Sequence, residues 1–130
     1  MARFLWICAA GAAGTGARYL MSTWISRAAG PAFPWGTLAV NLLGSFLLGA
    51  VMEVGLATEI LPPTVRLTLS TGLMGGFTTY SSFNYETLQY LQSQSWLLAA
   101  VNVGATVLGC LAAGILGIWA ARVLAGTWAW

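Results

Sequence analysis

Four long apolar segments run through the chain, and each is near or above the roughly 20 residues that a membrane-spanning helix needs. They extend over about 4–25, 36–57, 64–91 and 96–124. Short stretches rich in glycine, proline or polar residues separate them, at 26–35, 58–63 and 92–95. Segments of this length are too long for barrel strands, so only helices fit them. The sequence therefore predicts an all-α membrane protein with a single four-helix transmembrane domain over 1–130.

The composition agrees with that class and removes several functions. The chain is 58% hydrophobic and 6% charged, whereas soluble domains are about 25% charged. It contains no lysine, aspartate or histidine. A His-based catalytic triad, a His/Cys zinc site and a basic surface for nucleic acid are thereby excluded. We predict no enzyme and no nucleic-acid partner.

The ends of the predicted helices carry weak signals. The first apolar run continues through Met21, which favours a spanning helix over a cleaved signal peptide. Arg3, Arg66 and Arg122 would share one side of the membrane, and Arg27 the other. So small a bias permits insertion in both orientations, although a single orientation stays open.

Polar and small residues recur at helical spacing inside the apolar segments. Three polar stripes comprise Asn41, Ser45 and Gly49, then Thr79, Ser82, Phe83 and Glu86, then Asn102, Thr106 and Cys110; a small-residue stripe comprises Ala105, Gly109, Ala113 and Gly117. One such stripe is explained equally well as contact between helices. Three polar stripes in so small a protein favour a shared polar path. Both Cys8 and Cys110 lie in apolar runs and are interpreted as small hydrophobic residues.

Charged side chains inside a membrane are costly and are usually functional. Arg18 lies well inside the first segment, where it either reaches the interface or serves the interior. Glu53 is expected to reach the headgroups, and Glu86 shares a polar stripe. Small four-helix multidrug exporters need a buried carboxylate in helix 1, which this chain lacks. Neutral donors suit an anion or a neutral solute better.

The stretch GGFTTY at 75–80 lies near the middle of the third segment. Gly75 and Gly76 weaken a helix by about 1 kcal/mol each, and the β-branched Thr78 and Thr79 are stiff. We expect a local break in the third helix near its centre. Such a break frees backbone groups that must face protein, water or an ion. Close packing of the glycine pair alone is the simpler alternative.

Two segments, PWGTLAVNLLGSFLLG at 34–49 and TGLMGGFTTYSSFNYET at 71–87, resemble the signature segments of the bacterial fluoride channel family, called Fluc or CrcB. The resemblance implies passive fluoride export through an antiparallel, dual-topology homodimer in the bacterial inner membrane. It also implies two pores and a structural sodium ion at the dimer centre, which is not transported.

The resemblance assigns roles to individual positions. The implied pore residues are Asn41, Thr79, Tyr80, Ser81, Ser82, Phe83, Asn84, Glu86 and Thr106. Sodium would bind the backbone carbonyls of Gly75 and Thr78, and Arg18 matches a structural arginine of helix 1. Tyr80, Asn84 and Cys110 depart from the commoner family residues, which are phenylalanine, serine and serine.

Elementary chemistry is consistent with an anion path. Fluoride is small and strongly hydrated, so a pore must replace its water with donors such as hydroxyls and the amides of Asn41, Asn84 or Asn102. The positive edge of an aromatic ring can attract an anion, and Tyr80 and Phe83 share one helix face. The alternatives are a small multidrug-type exporter and a non-transporting membrane scaffold.

Overall fold

The computed structural model describes residues 1–57 and 61–126, and every regular element within those ranges is helical. The third apolar segment consists of several elements, while the other three are single helices. The elements are α1 (Ala2–Ala29), α2 (Trp35–Ala57), α3 (Pro63–Leu67), a π-helical segment (Thr68–Met74), α4 (Gly75–Phe77), α5 (Tyr80–Gln92) and α6 (Trp96–Ala125). Residues 58–60 of the second predicted turn lie outside the described residues.

Glycine and proline set the helix ends. Gly30, with a φ of 84°, ends α1, because glycine adopts positive φ values readily. The helix therefore continues through residue 29, four residues beyond the predicted limit at residue 25. Pro63 opens α3, where its missing N–H costs nothing. Gly126 caps α6 in the left-handed conformation.

Two of the described helices are long and apolar enough to cross a bilayer by length and composition. They are the stretch Trp35–Leu56 of α2 and the whole of Trp96–Ala125. The sequence predicts four spans. The first and third apolar segments do not meet the same criteria of length and hydropathy, for physical reasons. The third segment is divided into short elements, and α1 is diluted by glycines, hydroxyl residues and three arginines.

Several polar side chains are buried in the helix assembly beside apolar ones such as Val40 and Phe77, while many large apolar side chains are exposed. Leu97 and Trp24, for example, are 76% and 72% exposed. The buried polar residues are Thr37, Asn41, Thr79, Asn102 and Thr106. So large a polar share of the interior beneath so apolar a surface is unusual for a soluble domain, in which buried polar groups are the exception. An apolar exterior of this extent needs lipid or another protein around it.

Glycines allow α1 to cross the third segment with backbones in contact. A Cβ atom on Gly76 would overlap the carbonyl of Gly11, and one on Gly14 would overlap the carbonyl of Leu73. Gly72 faces the backbone of Ile7 in the same crossing. Close approach of this kind is characteristic of helix pairs that associate in lipid through van der Waals contact.

The contact between α2 and α6 uses the same device. Gly49 lies against the backbone of Gly114, and Gly117 lies against that of Phe46. Part of the predicted small-residue stripe on the fourth segment therefore faces α2. Gly49, which the sequence grouped with the polar residues of α2, serves this packing.

The interruption of the third segment begins two residues beyond the glycine pair. Gly75 and Gly76 are helical, whereas Thr78 (ψ 160°) and Thr79 (φ −149°, ψ 109°) are extended. Of the four residues named for the expected break, Gly75 and Gly76 are helical, and Gly76 lies in close contact with the backbone of α1. The extended conformation belongs to the β-branched residues, which are stiff and favour it.

We predict that Gly76→Ala destabilises the fold by about 1–3 kcal/mol, because the added methyl group meets the backbone of Gly11, which cannot move aside cheaply. Gly104→Ala is the matched control, since that helical glycine has open space around its Cβ position. Thermal unfolding in detergent measures both. Equal melting temperatures for the two variants would contradict the tight α1 crossing.

Candidate functional site

Asn41 of α2 holds the interruption between α4 and α5. Its Nδ2 donates to the carbonyl oxygen of Thr79 at 3.0 Å, and its Oδ1 accepts from the Thr79 amide at 2.7 Å. Both residues are buried. A side-chain amide carries a donor and an acceptor side by side, so it can replace a missing backbone partner for an extended residue. Asn41 thus satisfies two backbone groups that the helix has released.

Thr79 also begins the next helix. Its Oγ1 accepts from the amide of Ser82 at 3.2 Å, as expected for a residue that caps a helix N-terminus. The same hydroxyl donates to Ser82 Oγ at 3.0 Å and lies 3.3 Å from Ser81 Oγ. The hydroxyl cluster predicted on the third segment therefore forms, with Thr79 at its centre.

Arg18 of α1 contacts the other side of the interruption. Its Nε donates to the carbonyl oxygen of Gly76 at 3.1 Å, and Thr15 Oγ1 donates to the same oxygen at 3.4 Å. Arg18 is half-buried. Of the two locations that the sequence allows for it, the membrane interface and the protein interior, this bond corresponds to the interior. The end of α4 carries partial negative charge from unpaired carbonyls, which a guanidinium stabilises.

Two further carbonyls lose their regular helical donors. In a continuous helix the amide of Thr79 would bond Gly75, and that of Ser82 would bond Thr78. Here the first donates to Asn41 and the second to the Thr79 side chain. Backbone carbonyls are ligands of hard cations. In the described ranges no group of three or more His, Cys, Asp or Glu residues could hold a metal.

An open groove of about 320 Å³ runs past the interruption between α2, α5 and α6. It brings together most of the residues that the sequence singled out on three different segments. They are Asn41, Ser45, Thr78, Thr79, Tyr80, Phe83, Thr106 and Cys110. Thr106 is buried, and its Oγ1 has no hydrogen-bond partner among the described residues. The groove therefore combines hydroxyl and amide groups with aromatic rings.

The two aromatic residues of the groove form a pair. The ring centroids of Tyr80 and Phe83 are 5.5 Å apart, and the rings are inclined at 61° in an edge-on arrangement. Phe83 is 6% exposed, whereas Tyr80 is 77% exposed in the single chain. In such a pair the positive edge of one ring points at the negative face of the other. A second surface must cover Tyr80 if both rings are to line an enclosed path.

The remaining predicted site residues lie outside this groove. Ser82 lines a second groove of about 230 Å³ with Arg18, Thr37 and Thr79. Glu86 lines a third cavity of about 250 Å³ near the loop after α1, and its Oε1 accepts from Thr37 Oγ1 at 2.5 Å. Ser81 and Asn84 are exposed on α5.

Glu53, which the sequence predicts at the headgroups, forms an ion pair with Arg122. The Arg122 Nε lies 2.8 Å from Glu53 Oε1, and both side chains are largely buried. The pair joins the end of α2 to the end of α6. It lies apart from the three grooves, whose linings include neither residue.

Sequence reasoning missed two polar residues that the structure uses. Thr37 bonds Glu86 and lies one helical turn before Asn41, so extending the stripe of α2 backwards by four residues would have found it. Thr87 accepts from Asn102 at 2.9 Å and lies four residues after Phe83, so extending the stripe of α5 forward by one turn would have found it. Asn102, named with Asn84 as a possible amide donor to fluoride, is 1% exposed and donates to Thr87 in the α5–α6 contact.

Comparison with known proteins gives a consistent result. Residues 5–118 match the family model described as "CrcB-like protein, Camphor Resistance (CrcB)". A protein of Sorangium cellulosum named fluoride-specific ion channel FluC is 56% identical over 124 residues, covering 95% of this chain and 98% of that protein. Proteins with the same name from Anaeromyxobacter dehalogenans and Geobacter sulfurreducens are 56% and 47% identical, over 97% and 95% of this chain and all of theirs.

We predict that Asn41→Asp destabilises the interruption by about 1–3 kcal/mol, because a carboxylate can accept from the Thr79 amide but cannot donate to the Thr79 carbonyl. Asn84→Asp is the control, since Asn84 is exposed. Hydrogen exchange of the Thr79 amide in each purified variant is the measurement. Exchange in Asn41→Asp as slow as in the parent chain would refute the clamp.

Proposed function

The chain belongs to the CrcB-like family, and we propose that it is a fluoride-specific ion channel that lets fluoride leave the bacterial cytoplasm passively, down its electrochemical gradient. It is a membrane protein with apolar helices of spanning length. We assign it to the bacterial inner membrane. Relatives that are 56% identical over nearly their full length carry the name fluoride-specific ion channel.

The groove beside the interruption is the observation that carries the proposal. It collects a side-chain amide, several hydroxyls and two aromatic rings within one space. Fluoride holds its water strongly, so a path must offer hydrogen-bond donors that substitute for that water. The unpaired Thr106 hydroxyl is one such donor, and the edge of the Phe83 ring is an electropositive surface without a charge. Neutral donors bind a small anion weakly enough for it to leave again.

Asn41 has a double role in this account. Its Nδ2 carries two N–H groups, of which one is bonded to Thr79. The second is available to an anion in the groove. The same residue therefore holds the interruption open and contributes to conduction.

The polar residues outside the main groove extend the path. Ser81, Ser82 and Asn84 lie on the first turns of α5, and Glu86 lies one turn further along, bonded to Thr37. In our proposal these groups guide fluoride between the groove and the mouth of the channel. Glu86, with one oxygen bonded to Thr37, contributes a hydrogen-bonding position at that mouth.

A second copy of the chain completes the pore in our proposal. The groove is open on one side, and Tyr80 beside it is 77% exposed. The weak arginine bias is compatible with both orientations in the membrane. We therefore propose an antiparallel homodimer with two pores, each closed by the partner. Exposed apolar surface on the helices is compatible with both lipid and partner contacts.

We further propose that a sodium ion lies at the dimer centre, held by the carbonyls of Gly75 and Thr78 from both chains. Their regular helical donors are diverted to Asn41 and to the Thr79 hydroxyl, which leaves oxygen atoms suited to a hard monovalent cation. Four such oxygens would require both subunits. The ion would join the subunits and would not be transported.

The exporter alternative has less support. A proton-coupled exporter of cations needs a buried carboxylate in its first helix, and α1 has no acidic residue. The groove presents amide and hydroxyl groups in place of one. A non-transporting scaffold gives no reason for polar groups of three segments to share a groove.

We predict rapid, electrogenic efflux of fluoride, but not chloride, from liposomes that contain the purified chain. Phe83→Ile should reduce the fluoride rate by about tenfold or more, because an aliphatic side chain has no electropositive edge. Phe4→Ile is the matched control, since Phe4 is exposed on α1 and lies away from the groove. A fluoride-selective electrode follows the release.

Two results would contradict parts of this proposal. Efflux that requires a proton gradient would favour the exporter. Unchanged fluoride efflux in Phe83→Ile would show that the Phe83 ring does not contribute to conduction.

For sodium, we predict an anomalous-scattering peak between the two interruptions in crystals grown with rubidium or thallium(I). Thr78→Val should keep the peak, because the proposed ligand is the backbone carbonyl. The Thr78 hydroxyl donates to the carbonyl oxygen of Met74 one turn earlier, and its loss leaves the Thr78 carbonyl in place. A peak surrounded by carboxylates, or crystals without any peak at the dimer axis, would contradict the site.

A further inference from the structure

A buried amide of α6 is bonded to the turn of α5 that carries Phe83. Asn102 is 1% exposed, and its Nδ2 donates to Thr87 Oγ1 at 2.9 Å. The Thr87 hydroxyl in turn donates to the carbonyl oxygen of Phe83 at 2.8 Å. Two hydrogen bonds therefore connect α6 to the backbone of a residue that lines the groove.

The two helices are antiparallel neighbours, because residues 93–95 alone connect them. Asn102 and Thr106 are one turn apart on α6, and Thr87 and Phe83 are one turn apart on α5. Asn102 lies opposite Thr87. Because the helices are antiparallel, one turn forward on α6 and one turn back on α5 places Thr106 opposite Phe83. Both of these residues line the main groove. The bond at Asn102 thus sets the register at the groove.

We infer that Asn102 is a positioning residue that fixes the height of the Phe83 ring relative to the unpaired hydroxyl of Thr106. This inference rests on the proposed function, since it assigns the pair a role in fluoride conduction. A slip or rotation of α5 against α6 would move the ring away from that hydroxyl. In lipid, apolar side chains alone resist such slippage weakly, because the surroundings are as apolar as the contact.

A purely structural role for the pair makes a different prediction. Removing one partner of a buried hydrogen bond leaves the other unsatisfied, whereas replacing both with apolar groups of similar shape is nearly neutral for stability. The double variant Asn102→Leu with Thr87→Val therefore restores a satisfied contact without the directional bond. Stability and conduction should respond differently to it.

The test compares the wild-type chain, Asn102→Leu, Thr87→Val and the double variant. Each is purified, its thermal unfolding is recorded, and its fluoride efflux from liposomes is measured. We expect both single variants to lose stability and the double variant to regain most of it. Fluoride efflux should stay about tenfold or more below wild type in the double variant, because small misplacements of positioned groups have effects of this size. Thr68→Val is the matched control, since Thr68 bonds the Thr64 carbonyl four residues back but lies in the π-helical segment.

The outcomes separate the inference from the channel itself. A double variant that regains both stability and wild-type efflux would overturn the positioning role and leave the channel standing. A wild-type chain that releases no fluoride would overturn the proposed function and the inference with it. Reduced efflux in Thr68→Val to the same extent would show that loss of any such hydroxyl has this effect, which also overturns the inference.

Discussion

Backbone groups inside a bilayer have no water to bond, so an interrupted helix there persists only when other parts of the protein supply the missing partners. Thr78 and Thr79 form such an interruption. Asn41 bonds both backbone groups of Thr79, and Arg18 bonds the carbonyl of Gly76. These bonds come from α2 and α1, so three of the four apolar segments meet at one point. The position of the interruption is therefore a property of the tertiary structure as well as of the local sequence.

The partners can reach the interruption only because the helices approach closely. Gly76 and Gly14 remove the side chains that would otherwise separate α1 from the third segment. On the far side, Gly49 and Gly117 bring α2 against α6. The polar side chains between the helices then face a groove and not the lipid. Packing by small residues and conduction through polar ones are consequently parts of one arrangement, and a change in either affects the other.

Much of this arrangement could be predicted from helical periodicity. The stripes that contain Asn41, Thr79 and Thr106 do meet at the groove, because residues four apart share a helix face. The cause of the interruption could not be predicted in that way. A glycine pair weakens a helix, but only the neighbouring backbone shows that Gly76 is needed for contact with Gly11. Periodicity likewise cannot distinguish a groove residue from one that bonds a neighbouring helix, as the burial of Asn102 shows.

The central claim is that two threonines, held by side chains of other helices, interrupt the third segment. Solid-state NMR of the isotope-labelled chain in lipid bilayers tests it most directly, since backbone carbon shifts distinguish helical from extended residues. We expect extended shifts at Thr78 and Thr79, with helical shifts from Gly75 to Phe77 and again from Tyr80 onward. Helical shifts without a gap from Gly75 through Ser82 would contradict the claim.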